Sequence, residues 1–365
     1  PFPVTAVAEK QSSGAKPSTG RRSRIGFGLI LVLLTAALLM AIAAAVSFGS
    51  VRIPVGDVWA IVIHRLAPGA FESWWTEARA VIVVDSRLPR SLTAAVVGAS
   101  LALAGGVAQA VTRNPLADPY LLGVSSGAGF GVVLVMTLGI GAGALGAFTV
   151  PAAAFVGAMI PLFLALAIGG RYPQSTAIIL VGVALSSVFT ALITFTLLVF
   201  ADERSLSGVL HWLAGGFGDA RWSTLPFPLL ALIVIGIVIL VSAPKMDLLT
   251  TGDDGAAALG LDVRRFRIVQ LLAISMLAGA AVSVSGGIGF VGLLVPHLAG
   301  YIVGTRAIRL LPVAALLGAI ALVGADTLAR SVAQSTEVPV GVVTALVGAP
   351  IFVFMLYRRY AREMR

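Results

Sequence analysis

Long apolar runs separated by short polar breaks dominate this chain, and nowhere does it alternate apolar and polar residues as a barrel strand would. A helix needs about 20 mostly apolar residues to cross a bilayer's hydrocarbon core. Ten stretches approach that length: 25–48, 91–111, 120–140, 148–169, 176–200, 223–243, 267–286, 288–304, 311–329 and 339–357. Backbone groups in lipid must find partners within their own segment, so the pattern predicts an all-α membrane protein of about ten transmembrane helices. Residues 1–24 are rich in Ser, Gly, Pro and Lys and have no apolar period. They predict a disordered cytoplasmic tail ahead of one transmembrane domain at 25–365. The run from 25 to 46 is too long for a signal-peptide core and lacks a cleavage site, so it is expected to stay as the first span.

The pattern also repeats. GASLALAGG at 98–106 aligns without a gap to GAAVSVSGG at 279–287, and the register continues through Pro115 with Pro296, Tyr120 with Tyr301 and Gly123 with Gly304. A shorter offset pairs Pro151 with Pro312 and Gly157 with Gly318. One extra span separates the copies, so spans 2–5 and 7–10 are expected to form an inverted repeat. Such repeats place a pathway at their interface.

Composition agrees with lipid as the solvent. Of 365 residues, 58% are hydrophobic and 11% charged, against about 25% charged in soluble domains. There is no Cys, which excludes disulfides and thiolate metal sites, and the three His residues have no ligand spacing. No metal or cofactor site is expected. The formal charge is +9, but the basic residues lie in clusters between apolar runs and form no nucleic-acid patch. With the N-terminus inside, seventeen of the 25 Lys and Arg fall on the inner side and eight on the outer, so both termini are expected in the cytoplasm.

The polar breaks carry the candidate chemistry. RLPR at 87–90 precedes span 2 on the outer side, where Pro89 is expected to stop the helix and leave two Arg forks suited to carboxylates. Arg330 falls on the same side. RNPLADP at 113–119 is a stiff inner corner with Asn114 and Leu116 placed to plug a cytoplasmic mouth. The longest inner loop, after Lys245, predicts short amphipathic helices that a motor protein could grip. Asp253 and Asp254 within it are expected to be solvated charges. No buried charge is expected within spans 2–5 or 7–10, and Asp326 lies near the outer end of its span. GGIGFVG at 286–292 lacks the Lys-Ser/Thr of a phosphate loop and predicts close helix packing instead. No Walker A pattern exists, so ATP would be bound by another subunit. Neither HExxH nor a paired His/carboxylate motif suggests an intramembrane enzyme.

Together these residues resemble the FecCD-type permease family of type II ABC importers, which carry iron chelates and cobalamin. The likeness rests on RLPR (87–90), GASLALAGGVAQAVTRNPLADPYLLGVSSGAG (98–129), HWLAGGFG (211–218), LGL (259–261), GGIGFVGLLVPH (286–297), ADTLAR (325–330) and VPVGVVTALVGAPIF (338–352). It implies a permease domain at 25–365 in the bacterial cytoplasmic membrane, multi-pass, as a homodimer or heterodimer. It further implies two cytoplasmic ATPase subunits and an extracytoplasmic solute-binding protein. By resemblance, Arg87, Arg90 and Arg330 receive acidic groups of the binding protein. Asn114 and Leu116, with Ser175 and Thr176, match the cytoplasmic gate. Ser186, Ser187, Thr190 and Thr194 match the path-lining helix, and Leu259, Gly260, Leu261, Arg264 and Arg265 the ATPase contact. The family often has Arg three residues after the Pro-His pair. Here Gly300 stands there, so this chain does without that Arg or substitutes Arg306 or Arg309. The function implied is ferric siderophore import. Haem or cobalamin import by the same family is the alternative, and an ion-driven transporter, which would need carboxylates at midplane depth, is a third reading.

Overall fold

A computed structural model describes residues 20–49, 53–67, 69, 73–141, 143, 145–169, 175–332 and 337–363, without the side chains of 20–25, 66, 175–176, 356 and 359–363. The helices are α1 (Gly20–Ser47), α2 (Val55–Leu66), α3 (Glu77–Val81), α4 (Leu88–Thr112), α5 (Val124–Leu138), α6 (Thr149–Gly169), α7 (Ser175–Phe200), α8 (Glu203–Leu213), α9 (Pro226–Leu248), α10 (Asp253–Ala258), α11 (Val263–Ser285), α12 (Val291–Val303), α13 (Ala307–Val332) and α14 (Val340–Glu363). Among the described residues there is no strand. Each of the ten expected spans has its helix: α1, α4, α5, α6, α7, α9, α11, α12, α13 and α14. The tail as expected to 24 overlaps α1, which begins at Gly20; residues 1–19 lie outside the described residues.

Seven of these elements are long and apolar enough to cross a membrane, while α5, α12 and Val340–Met355 of α14 are shorter. Extended or tight backbone explains the shortness of two. A 3-10 turn at Pro119–Leu122 and Gly123 precede α5. Residues 286–290 precede α12, with Gly286 at φ 66° and Phe290 at φ 68°. A left-handed Phe cannot continue a helix, so α12 starts three residues later than its apolar run.

The helices interlock through glycine. A Cβ at Gly98 would lie 2.2 Å from the Gly318 carbonyl oxygen, and one at Gly105 would lie 1.9 Å from that of Gly292. Backbones approach this closely only where side chains are absent, which is how helices gain contact when lipid is as apolar as Leu. The small-residue reading of 286–292 therefore holds at Gly292.

The inverted repeat is visible in direction and packing. The start of α4 meets the end of α13, since Arg90 pairs with Asp326 at 2.9 Å. The end of α4 meets the start of α11, since Arg267 Nε donates to the Val111 carbonyl at 3.2 Å. The first helices of the two copies thus run in opposite directions. α4 packs along α13 and its counterpart α11 along α6; α5 packs on α6 as α12 does on α13. The residue register differs from the gap-free alignment: Pro115 sits in a loop, whereas Pro296 is inside α12. Small residues dominate both copies, so similar letters recur at positions the fold does not equate.

Candidate functional site

At the end expected to face outward, the RLPR segment does not break the helix. A π-helical turn, Ile82–Arg87, joins α3 to α4, and Leu88 N–H reaches back to the Val83 carbonyl. In that register Pro89 would have to donate to Val84, and it has no N–H. The Trp222 indole N–H donates to the Val84 carbonyl instead, at 2.8 Å. The wider turn carries the chain through Pro89 and turns both Arg side chains inward, where Arg87 and Arg90 are 4% and 7% exposed.

A charged cluster forms there from four elements. The fully buried Asp326 on α13 accepts from Arg90 Nε at 3.0 Å. Arg330 Nε, one turn on, lies 3.0 Å from its other oxygen, an ionic contact at an angle that makes no hydrogen bond. Arg90 NH1 also bonds both oxygens of Glu337 at 3.0 Å, and Glu337 keeps about half of its side chain exposed. Arg87 NH1 donates to the Val46 and Ser47 carbonyls at 3.0 and 3.1 Å. Arg330 NH2 donates to Ala45 at 3.2 Å. These are last-turn carbonyls of α1, which lack intrahelical partners and carry the negative end of the helix dipole. The three arginines expected to wait for an external partner are therefore brought together, but they are buried and already serve as a helix cap and counter-ions. The expectation that no charge is buried in these spans is corrected by Arg267 and Asp326, and Arg90 and Arg330, one residue beyond the expected span ends, are buried as well. Charged residues 236 positions apart in sequence gave no local pattern by which to pair them.

At the opposite end, α4 stops at Arg113, which is left-handed at φ 51°. Asn114 Oδ1 then accepts from Leu116 N–H at 2.9 Å, a tight turn that leaves Asn114 exposed and Leu116 43% exposed. Asp118 ends the loop by accepting from Tyr120 N–H at 2.8 Å; burial pushes its carboxyl up and that bond partly opposes the shift. Ser175 and Thr176 open α7, but their side chains lie outside the described residues.

The longest loop folds into a 3-10 turn and α10, as its pattern predicts. Leu259 is 61% exposed, Gly260 turns at φ 87°, and Arg264 and Arg265 point outward at the head of α11. Asp254 is exposed, as expected of a solvated charge, and Asp253 keeps 43% of its side chain exposed but is paired as well. Both its oxygens are spanned by Arg267 at 2.7 and 2.8 Å, and Arg113 NH2 lies 2.9 Å away. The Arg267 bonds hold its carboxyl below the usual carboxylate range. The fold places this acid between two cations distant in sequence, which is why local reading missed it. Gly300 lines a cavity of about 460 Å³ with Gly106, Gln109, Arg113 and His297. Neither Arg306 nor Arg309 lines it, and Arg309 stacks over Phe27.

α7 buries Phe189, Ile193 and Thr196 and exposes Ser187, Thr190 and Thr194 on its opposite face; Ser186 is half-buried. Each of these four hydroxyls donates to the carbonyl four residues back. The result is an uncharged row of hydroxyl oxygens, each with its proton committed, and α7 contains no ionisable residue.

Comparison with known proteins agrees with this architecture. The model of the FecCD transport family matches residues 36–358. The uncharacterized ABC transporter permease protein YvrB of Bacillus subtilis (strain 168) is 38% identical over 92% of this chain and 93% of its own length. The cobalamin import system permease protein BtuC of Halobacterium salinarum is 41% identical over 88% and 86%. The vitamin B12 import system permease protein BtuC of Citrobacter koseri is 37% identical over 83% and 88%. Among solved structures, an inward-facing metal-chelate type ABC transporter aligns at a TM-score of 0.78 with 29% identity, over 91% of this chain and 99% of that one. Ten apolar helices, eight of them in an inverted repeat, a match across most of the sequence and relatives near 40% identity lead to one conclusion: this chain belongs to the FecCD transport family, the membrane permeases of ABC importers.

Proposed function

We propose that this permease imports cobalamin or a closely similar corrinoid, as one of two permease subunits in a cytoplasmic membrane, with both termini inside. Two cytoplasmic ATPases drive it and an external binding protein delivers the solute. The observation that carries the substrate class is the α7 row of Ser187, Thr190 and Thr194, which is polar, exposed in the single subunit and free of charge. Two copies facing each other would line a path with hydroxyl oxygens and apolar carbon. Such a wall suits a bulky solute whose periphery is amide-rich and nearly neutral, whereas a strongly anionic ferric chelate would cross it without a countercharge. The names of the relatives shift the choice from ferric siderophore toward cobalamin, and the likeness to a metal-chelate type transporter keeps the siderophore as the second reading. An ion-driven mechanism is disfavoured, because Asp326, the buried carboxylate near a span, is clamped by two guanidinium groups.

In this reading Asn114 and Leu116 close the inner mouth with Ser175 and Thr176, and Leu259, Gly260, Leu261, Arg264 and Arg265 meet the ATPase. Arg87, Arg90 and Arg330 form the floor beneath the binding protein, with Glu337 at its edge. The test is uptake by the assembled transporter in proteoliposomes, with labelled cyanocobalamin and a labelled ferric hydroxamate compared. ATP-dependent accumulation of cyanocobalamin alone is expected. Accumulation of the ferric hydroxamate alone would overturn the corrinoid assignment and leave the permease reading standing.

A further inference from the structure

Asp253 joins two loops that otherwise have separate tasks. It is the first residue of α10, and Gly252 before it turns at φ 92°, so α10 hangs from a sharp glycine corner. Its carboxylate is gripped by Arg267, whose Nε in turn holds the Val111 carbonyl in the last turn of α4. Arg113, just past that helix end, completes the bracket. On one side of this joint, one and three residues beyond Arg113, lie Asn114 and Leu116. On the other, six to eight residues along, lie Leu259, Gly260 and Leu261.

We propose that Asp253 is the coupling residue of this subunit, a positioning group through which displacement of α10 reaches the 113–117 loop. The inference rests on the assignment of these two loops as ATPase contact and inner gate. Two features make the joint able to move. The Arg113–Asp253 pair is nearly half exposed on each side, so it contributes little to stability and can break and re-form. Arg113 is held left-handed, a region that a non-glycine residue seldom occupies. The bonds from Arg113 N–H to Ala110 and Asn114 N–H to Gln109, together with the Asp253 pair, hold it there. Releasing the pair removes one of those restraints and lets the loop turn toward commoner backbone angles, shifting Asn114 and Leu116. Arg267 differs from Arg113 in being buried, with 8% of its side chain exposed, so it acts as the fixed half of the bracket.

The chain has no Cys, so Leu116→Cys introduces a single thiol. In the full transporter, with its ATPase and binding protein in proteoliposomes, the rate at which an impermeant maleimide labels that thiol is measured without nucleotide and after trapping with Mg-ATP and vanadate. ATP turnover is followed in parallel. Trapping is expected to change the labelling rate about fivefold or more, the size of an ordinary allosteric coupling. Adding Arg113→Gln or Asp253→Asn is expected to abolish that change while ATP turnover continues, the double variant to behave like either single one, and Asp253→Glu to restore the response. A full response in both Arg113→Gln and Asp253→Asn would overturn the proposal alone. No response in Leu116→Cys by itself would overturn the gate assignment, and this proposal with it.

Discussion

The two ends of the bundle use arginine and aspartate in opposite ways. At the Arg90 end, three guanidinium groups and Asp326 are buried together, and two of the three, Arg87 and Arg330, finish off the last turn of α1. At the Arg113 end, a carboxylate between two guanidinium groups stays half exposed and ties one loop to another. The same pairing of residue types gives a fixed cap where water is excluded and a breakable joint where water competes. Desolvation decides between them, because a buried charge that loses its partner has nowhere else to go.

That contrast can be broken most severely at Asp326. Asp326→Asn leaves Arg90 and Arg330 buried without their shared counter-ion, and removing one partner of such a pair costs about 3–5 kcal/mol. A large fall in the thermal midpoint of the purified protein, followed by fluorescence-detected size exclusion, is expected; an unchanged midpoint would mean that water already solvates the cluster. Arg87→Ala is expected to cost less, about 1–3 kcal/mol, through the unpaired carbonyls of Val46 and Ser47. Its signature is early loss of α1 in hydrogen exchange, with the rest of the bundle protected.

Glu337→Gln sharpens the comparison, because Glu337 is the cluster's exposed acid. Its effect on stability is expected to stay within about 1 kcal/mol. Removing its charge leaves Arg90 more available to a carboxylate of the binding protein, so surface plasmon resonance should show docking tightened several-fold, about the effect of one rim charge pair. Weaker docking would instead assign Glu337 to shaping the floor. The smallest effect is at the joint. Asp253 has its pKa depressed by the Arg267 bonds, so its contribution is fully present above the ordinary carboxylate value near 4 and fades as pH falls through the lowered folded value. Spin labels at Ala258→Cys and Leu116→Cys should report an unchanged distance from pH 7 to pH 5 and a broader distribution only below about pH 4.

The candidate site was partly legible. Arg87, Arg90 and Arg330 could be grouped on one side from topology alone, and the structure brings them together. Their burial was not legible, because it depends on a π turn that carries the chain past Pro89 and on a Trp222 indole that takes the carbonyl Pro89 leaves. The pairing of Asp253 was missed for the same kind of reason: its two partners, Arg113 and Arg267, arrive from the ends of other helices. By contrast, the uncharged hydroxyl row of α7 follows directly from the sequence, since residues 187, 190 and 194 share a helical face wherever the helix is placed.

Length and apolar content alone determined that this chain spans a membrane as about ten helices, because lipid punishes any backbone group without a partner in its own segment. The glycine-rich runs determined that those helices pack closely, and the one extra span between the two copies determined that the second inverts the first. The tertiary structure decided which charges are buried, which stay wet and which pair. Those outcomes depend on the distance between side chains and their access to water, and both arise only when helices far apart in sequence are packed together.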